Sequence, residues 1–162
     1  MIYQFEKATL QDVNEVFELV KQRVVWMDEA GIHQWNETDY LNAYPLEYYL
    51  QQAKLNQLYV LKDNEHIVGA IVCLQEDTRW QDQQPAYYLH NFVSMIGVKG
   101  VGATILKEVE KLAKSNHKTR LRLDCAIDNQ KLNDYYESHG FYYAGECQDG
   151  PYIGNKREKI IE

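Results

Sequence analysis

The chain of 162 residues reads as one α/β domain, a mixed sheet with helices packed on it. Two observations predict this. Segments whose apolar residues recur at spacings of three and four alternate with short strand-like runs, in the order β-α-α-β-β-β-α-β-α-β-β. In addition, no internal repeat, low-complexity tract or linker interrupts the chain, and its three prolines mark no boundary, so a single domain is expected over residues 1–162.

The opening strand is IYQFEKA. Thr9 and Asp12 then form a Thr-x-x-Asp capping box, in which each side chain satisfies an orphan amide at a helix start. Val13, Val16, Phe17, Val20, Val24 and Met27 follow on one face of a long helix that Gly31 ends. YPLEYYLQQAKL is a shorter helix with Pro45 near its first turn. QLYVLKD and HIVGAIVCLQ are strands joined at Asp63 and Asn64, and AYYLHNFV is another. The spacing of Val101, Ile105, Val109, Leu112 and Ala113 predicts a helix from Gly100 to Asn116. TRLRLDCAI alternates as a strand does. Asp128 or Asn129 caps the next helix, which runs through Tyr136 to His139 and stops at Gly140. FYYAGECQ and YIGNKREKII are the last strands, around a turn at Asp149-Gly150.

The hydrophobic fraction of 45% and charged fraction of 25% are those of a globular protein. No run approaches the roughly 18 apolar residues of a membrane helix, and MIYQFEKATL carries an acid and no long apolar core, unlike a secretory signal. Cys73, Cys125 and Cys147 are odd in number, widely spaced and apolar in context, as reduced core thiols are. A cytoplasmic protein without membrane contact is expected. The net charge of −7 argues against nucleic acid as a partner. Its distribution is uneven. From Val24 to Ala53 there is no Lys or Arg, only Asp28, Glu29, Glu37, Asp39 and Glu47, whereas Lys99 to Lys131 holds eight bases against four acids. One region suits a cation and the other an anion, although a solvated surface with chance asymmetry gives the same pattern.

The stretch VSMIGVKGVGATILKEVEKLAK places Gly97, Gly100 and Gly102 where a strand turns into a helix. Amides at a helix start lack internal partners and the macrodipole adds partial positive charge, so such an entrance can bind phosphate. GVKGVG is neither a Walker A loop nor a dinucleotide fingerprint, and alone it is also compatible with a flexible turn. The segment resembles motif A of the GNAT (Gcn5-related) N-acetyltransferases, whose loop reads Arg/Gln-x-x-Gly-x-Gly/Ala. Val98-Lys99-Gly100-Val101-Gly102 fits, with Gly97 at the Arg/Gln position. Further on, DNQKLNDYYESHGF is similar to the family's Asn-x-x-Ala-x-x-Phe-Tyr-Glu-x-x-Gly-Phe, matching at Asn129, Tyr135, Tyr136, Glu137, Gly140 and Phe141, with Leu132 in place of Ala. Gly97 lacks the side chain that relatives place near the cofactor pyrophosphate, and the stretch before the loop is a little short.

The resemblance implies the GNAT acyl-CoA N-acyltransferase fold, with a mixed, mostly antiparallel central sheet flanked by helices. It implies transfer of an acetyl group from acetyl-CoA to a primary amine by direct attack in a ternary complex, without a metal. The amides of Val98, Lys99, Gly100, Val101, Gly102 and Ala103 are then the expected pyrophosphate cradle, to which Lys99 adds charge. Phe92, Val93 and Ser94 present backbone groups to the pantetheine where the sheet splays. Asn129 caps its helix, and the resemblance adds contact with the cofactor arm. Tyr136 takes the position of a tyrosine near the cofactor sulfur and is the expected general acid; a core aromatic beside Tyr135 and Phe141 is the alternative.

His90 is a candidate general base, because imidazole titrates near neutral pH and this one lies on the strand flanking the cofactor, yet a single strand histidine is more often structural. Glu76, Asp124 or a chain of waters are alternatives, as is a purely structural His90. His33, His66, His90, His117 and His139 have no metal-ligand spacing. The acceptor pocket is expected from the first helices, their connection and two turns, with Trp26, Trp35 and Glu76 as binding residues. Trp26, Trp35, Tyr40, Tyr44, Tyr48 and Tyr49 among acids suit a small cationic amine, and packing in a loop-rich cap accounts for them equally. A non-catalytic acyl-CoA sensor of the same fold is the alternative function. Exposed strands and aromatics near the C-terminus leave room for a homodimer.

Overall fold

The computed structural model describes residues 2–32, 35–37 and 39–162, with the backbone alone at residue 37. His33 and the side chain of Glu37, both named above, lie outside the described residues. Strand β1 (Tyr3–Lys7) leads to α1 (Val13–Ala30), α2 (Tyr40–Ala43), α3 (Leu46–Lys54), β2 (Leu58–Asp63), β3 (His66–Leu74) and β4 (Ala86–Ser94). Then come α4 (Val101–Ser115), β5 (Arg120–Ala126), α5 (Gln130–Ser138), β6 (Tyr142–Asp149) and β7 (Tyr152–Ile160). The predicted order holds, with the four-residue α2 added.

The described strands form one seven-stranded sheet in the order β1-β2-β3-β4-β5-β7-β6. Neighbours are antiparallel except β4 and β5, which are parallel. Alternation along β2 and β3 divides the core into two layers. Leu58, Val60, Ile67, Ala70 and Val72 pack with Val13, Val16 and Val20 of α1 and with Tyr49 and Ala53 of α3. Tyr59, Leu61, Val68, Ile71 and Cys73 pack instead with Val101, Ile105 and Val109 of α4 and Tyr136 of α5. Val20, Val60, Val72 and Ile71 are wholly buried, and such burial stabilises by about 1.5–3 kcal/mol per side chain. Leu19 joins the buried stripe of α1, while Phe17 and Val24, read as part of it, lie at its margin.

Local signals set the helix ends. The Thr9 amide donates to the Asp12 carboxylate at 2.9 Å and the Asp12 amide to the Thr9 hydroxyl at 3.3 Å, at a single 3-10 turn leading into α1. Asn129 caps α5 by accepting from the Leu132 amide at 3.1 Å. No helix is long and apolar enough to cross a membrane among the described residues. The cysteines are free thiols, Cys73 and Cys125 buried and Cys147 half-buried. The exposed aromatics near the C-terminus are Tyr142 and Tyr143, on edge strand β6.

The connection between β3 and β4 is latched onto the sheet. The buried Arg122 guanidinium donates to Asp82 at 2.9 Å and to Glu158 at 2.6 Å, and the ring of Trp80 covers it at 4.4 Å. A buried cation left without such partners would cost several kcal/mol. This latch fixes the loop that carries Asp77 and Arg79 toward the opening between β4 and β5.

Candidate active site

Strands β4 and β5 pair only at Ala86–Arg120, Tyr87–Leu121 and Tyr88–Arg122, then part. Beyond Tyr88, β4 has no partner strand on that side among the described residues, as the expected splay requires. A bulge helps to turn it away: the register against β3 slips between Ala70 and Val72, and Asn91 takes φ of 52°. Asparagine tolerates this left-handed conformation better than its β-branched and aromatic neighbours do. The Asn91 amide donates to the Tyr40 hydroxyl at 2.5 Å, and the Tyr48 hydroxyl donates to its carbonyl oxygen at 2.8 Å. Helices α2 and α3 thus brace the bulge.

The splay opens a cleft of about 850 Å³ between the two layers of helices. At one end lies the entrance of α4. Gly97 and Gly100 have φ of 85° and 81°, which strain any residue with a side chain. Gly102 answers a different need: a Cβ there would meet the Tyr135 hydroxyl at 2.8 Å. Val98, Gly100, Val101, Gly102 and Ala103 line the cleft. The first turn of α4, whose amides lack internal partners, thus opens on it, the arrangement that binds anions at a helix N-terminus. Nearby, Arg23 donates to the Ser94 carbonyl at 2.7 Å and to its hydroxyl at 3.2 Å, and lies over the Trp26 ring at 4.7 Å. Burial without a carboxylate partner among the described residues lowers the Arg23 pKa.

At the other end, His90 of β4 and Asp124 of β5 extend the paired register by two residues across the gap. His90 Nε2 is 2.7 Å from the Asp77 carboxylate. Burial alone would raise the Asp77 pKa; the His90 imidazole, the Arg79 amide (2.9 Å) and nearby Arg79 charge outweigh it and hold the carboxyl below its ordinary range. Asp124 accepts from the Tyr152 hydroxyl at 2.6 Å and lies 3.9 Å from the Arg79 guanidinium, which also pairs with Asp149 at 3.0 Å. Burial would lower the Arg79 pKa, but Asp124 and Asp77 raise it. The donor atoms of Asp77, His90 and Asp124 lie within 4.8 Å of one another. Sequence spacing gave no hint of this group, and each member already has a protein partner.

Tyr136 lines the cleft from α5, packed edge-on against Tyr135 and Phe141. Burial above all, with Cys125, Tyr135 and Asp124 adding to it, pushes its pKa far above the ordinary value. Its hydroxyl has no hydrogen-bond partner among the described residues. The phenol stays protonated and is free to donate into the cleft.

Most residues singled out in the sequence meet here: Trp26, Trp35, His90, Phe92, Val93, Ser94, Val98, Gly100, Val101, Gly102, Ala103, Asn129 and Tyr136 all line the cleft. Two do not. Lys99 is exposed and points away from the lining, because the turn between Gly97 and Gly100 directs it to solvent. Glu76 is likewise exposed, and the latched loop turns its neighbour Asp77 inward instead. The aromatic cap is also more self-contained than a cage for a cation: Trp35 stacks on Tyr40 at 4.2 Å, Tyr40 packs tilted against Tyr44 at 4.8 Å, and Trp26 already carries Arg23. Asp77, Arg79, Asn91 and Tyr152 join the site without having been singled out in the sequence. The one available signal was Asn91, a turn-forming residue inside an apolar strand.

Comparison with known proteins agrees with this geometry. The uncharacterized N-acetyltransferase YesJ of Bacillus subtilis (strain 168) is 22% identical over 158 residues, covering 92% of this chain and 87% of that one. A GNAT-family acetyltransferase from Listeria monocytogenes 4b F2365 superposes with a TM-score of 0.78 at 22% identity, over 96% of this chain and 94% of the other. The PaiA N-acetyltransferase of Thermoplasma acidophilum, solved in complex with coenzyme A, does so with a TM-score of 0.77 at 20% identity, over 99% of both chains. These likenesses establish the fold. The model of the acetyltransferase (GNAT) family matches residues 26–141, from the end of α1 through the cleft to the residue after the α5 stop, and the chain belongs to that family.

Proposed function

We propose that the protein is an acetyl-CoA-dependent N-acetyltransferase that acts on a primary amine of a small molecule, by direct attack in a ternary complex. The observation that carries this reading is the parting of β4 and β5 beyond Tyr88 and Arg122. It leaves one cleft with a glycine-built helix entrance at one end and an imidazole–carboxylate pair at the other. The name of the Bacillus relative and the coenzyme A bound by the PaiA enzyme support it.

The residues present fit an acyl-CoA. The amides of residues 98–103 form the pyrophosphate cradle, at the start of α4 where Gly100 and Gly102 line the cleft. On the side that β5 leaves, the backbone of Phe92 and Val93 offers strand-like hydrogen bonds to the pantetheine. The Ser94 carbonyl already serves Arg23, so its share in that ladder is smaller. As co-substrate, acetyl-CoA supplies an electrophilic thioester carbon and a thiolate leaving group. His90 takes the proton that the ammonium must lose before the nitrogen can attack. Tyr136, held protonated by burial, donates a hydrogen bond that stabilises the departing sulfur. Trp26 and Trp35 wall the acceptor side. The chemistry requires no metal.

Release of coenzyme A thiol from acetyl-CoA, followed against a panel of amino acids, polyamines, amino sugars and protein substrates, tests the reading. Amine-dependent release with at least one small amine is expected. Turnover confined to protein substrates overturns the small-molecule acceptor. Tight acetyl-CoA binding by calorimetry with no turnover on any amine overturns the enzyme and leaves an acyl-CoA sensor.

A further inference from the structure

Asp77 belongs to none of the sequence motifs, yet it makes the shortest polar contact of His90 at the acceptor end of the cleft. Its carboxylate meets His90 Nε2 at 2.7 Å and accepts the Arg79 amide at 2.9 Å. The Asp77 side chain is 7% exposed and that of His90 13%, so solvent competes little for the pair. The loop that carries Asp77 is pinned at Asp82 by Arg122 and at Trp80 by the same guanidinium. An ionised carboxylate can only accept, so the shared proton belongs to Nε2. Nδ1 is then the imidazole atom left to take a proton.

We propose that Asp77 is the positioning residue for His90: it selects the tautomer with the proton on Nε2, aims Nδ1 at the incoming amine, and neutralises the imidazolium formed there. The inference rests on the acetyl-transfer reading given above. In the step it serves, the ammonium gives one proton to Nδ1, the freed nitrogen bonds to the thioester carbon, and the carbon–sulfur bond breaks with its electron pair on sulfur. The second proton shed by the nitrogen goes to that sulfur, leaving an amide and the coenzyme A thiol. Asp77 gains and loses nothing; it balances the positive charge that His90 carries until the proton leaves to solvent. The division of labour resembles that of a carboxylate behind any catalytic imidazole, in which the carboxylate fixes tautomer and orientation without becoming protonated. The other charged and titratable groups at this end, Arg79, Asp124, Asp149, Tyr44, Tyr136 and Tyr152, already engage one another or stay neutral. None of them contacts Nε2 in place of Asp77.

Three readouts test the inference on the full-length protein. First, Asp77→Asn should lower kcat by about 100-fold, within the range that general-base catalysis supplies, and leave the acetyl-CoA Kd within about twofold. The acid limb of its rate profile should move to lower pH, since the imidazolium loses its counter-charge, and Asp77→Glu should recover part of the activity. Second, Asp77→Asn in a His90→Gln background should cost nothing further, because a positioning residue acts through its partner. Third, nitrogen-15 spectra of the imidazoles in the unliganded protein should show the His90 tautomer with its proton on Nε2, and a mixture of tautomers in Asp77→Asn. That measurement needs no acceptor and separates failure of this inference from failure of the enzyme reading. Full activity in a folded Asp77→Asn, an equal loss with or without His90, or a His90 proton on Nδ1 would each overturn the proposal.

Discussion

The Tyr135 hydroxyl occupies the space that a side chain at Gly102 would need: a Cβ there would lie 2.8 Å from Tyr135 Oη but 3.7 Å from its Cζ. The conflict therefore comes from one oxygen. The glycine at 102 and the tyrosine at 135 are therefore coupled. Gly102→Ala alone should displace Tyr135 and weaken acetyl-CoA binding. Gly102→Ala with Tyr135→Phe should restore binding and exceed Tyr135→Phe alone in stability, by up to about 1 kcal/mol of helix propensity. Calorimetry and urea unfolding of the three proteins check this.

The glycines at 97 and 100 make a separate prediction. A Cβ added at either would meet nothing within 4 Å, so substitution costs backbone strain alone. Alanine at either position should destabilise the fold by about 1–2 kcal/mol. Only Gly100→Ala, at the start of α4, should also reduce acetyl-CoA affinity. Denaturant midpoints and calorimetric binding constants distinguish the two sites.

Removing one oxygen from Tyr136 isolates its chemical role. Because the hydroxyl has no partner among the described residues, Tyr136→Phe should leave thermal stability nearly unchanged while kcat falls by about 10- to 100-fold. An unchanged kcat would make Tyr136 a packing residue of the α5 face. Stopped-time thiol release and a melting curve give both numbers.

The cap at Thr9 predicts a pH dependence of stability. Burial would raise the Asp12 pKa, but the Thr9 amide and hydroxyl and the Lys62 ammonium at 3.2 Å outweigh it and hold the carboxyl below 3.8. A group with a depressed folded pKa contributes fully above its unfolded value and loses that contribution as pH falls through the folded one. Asp12→Asn should therefore cost about 1 kcal/mol at neutral pH and progressively less as pH falls below the ordinary carboxylate range. Urea melts across that range measure the closing gap.

The fold was legible because its signals are local. The Thr9–Asp12 box, the valine stripe of α1, the α4 periodicity and the Asn129 cap each state their structure within a few residues of chain. The glycine entrance and Tyr136 were legible for a related reason, since each sits in a contiguous motif. The acceptor end was not. Asp77 and His90 are thirteen residues apart on different elements, and Asp124 joins them only through the parallel pairing of β4 with β5. Nothing local separates Glu76 from Asp77; the Arg122–Asp82 latch, forty residues apart in sequence, decides which acid faces inward. The aromatics of α2 and α3 were ambiguous for the opposite reason. Their composition fits a cage for a cation, but Tyr40 and Tyr48 spend their hydroxyls on the Asn91 bulge.

Direct transfer requires the amine to attack the thioester while both occupy the one cleft between β4 and β5. Initial rates of thiol release, with acetyl-CoA and the preferred amine varied together, measure that directly. Double-reciprocal lines that intersect, with rates that fall in His90→Gln and Tyr136→Phe, are the predicted result. Parallel lines, as from an acetylated enzyme intermediate, or release that ignores the amine, would contradict it.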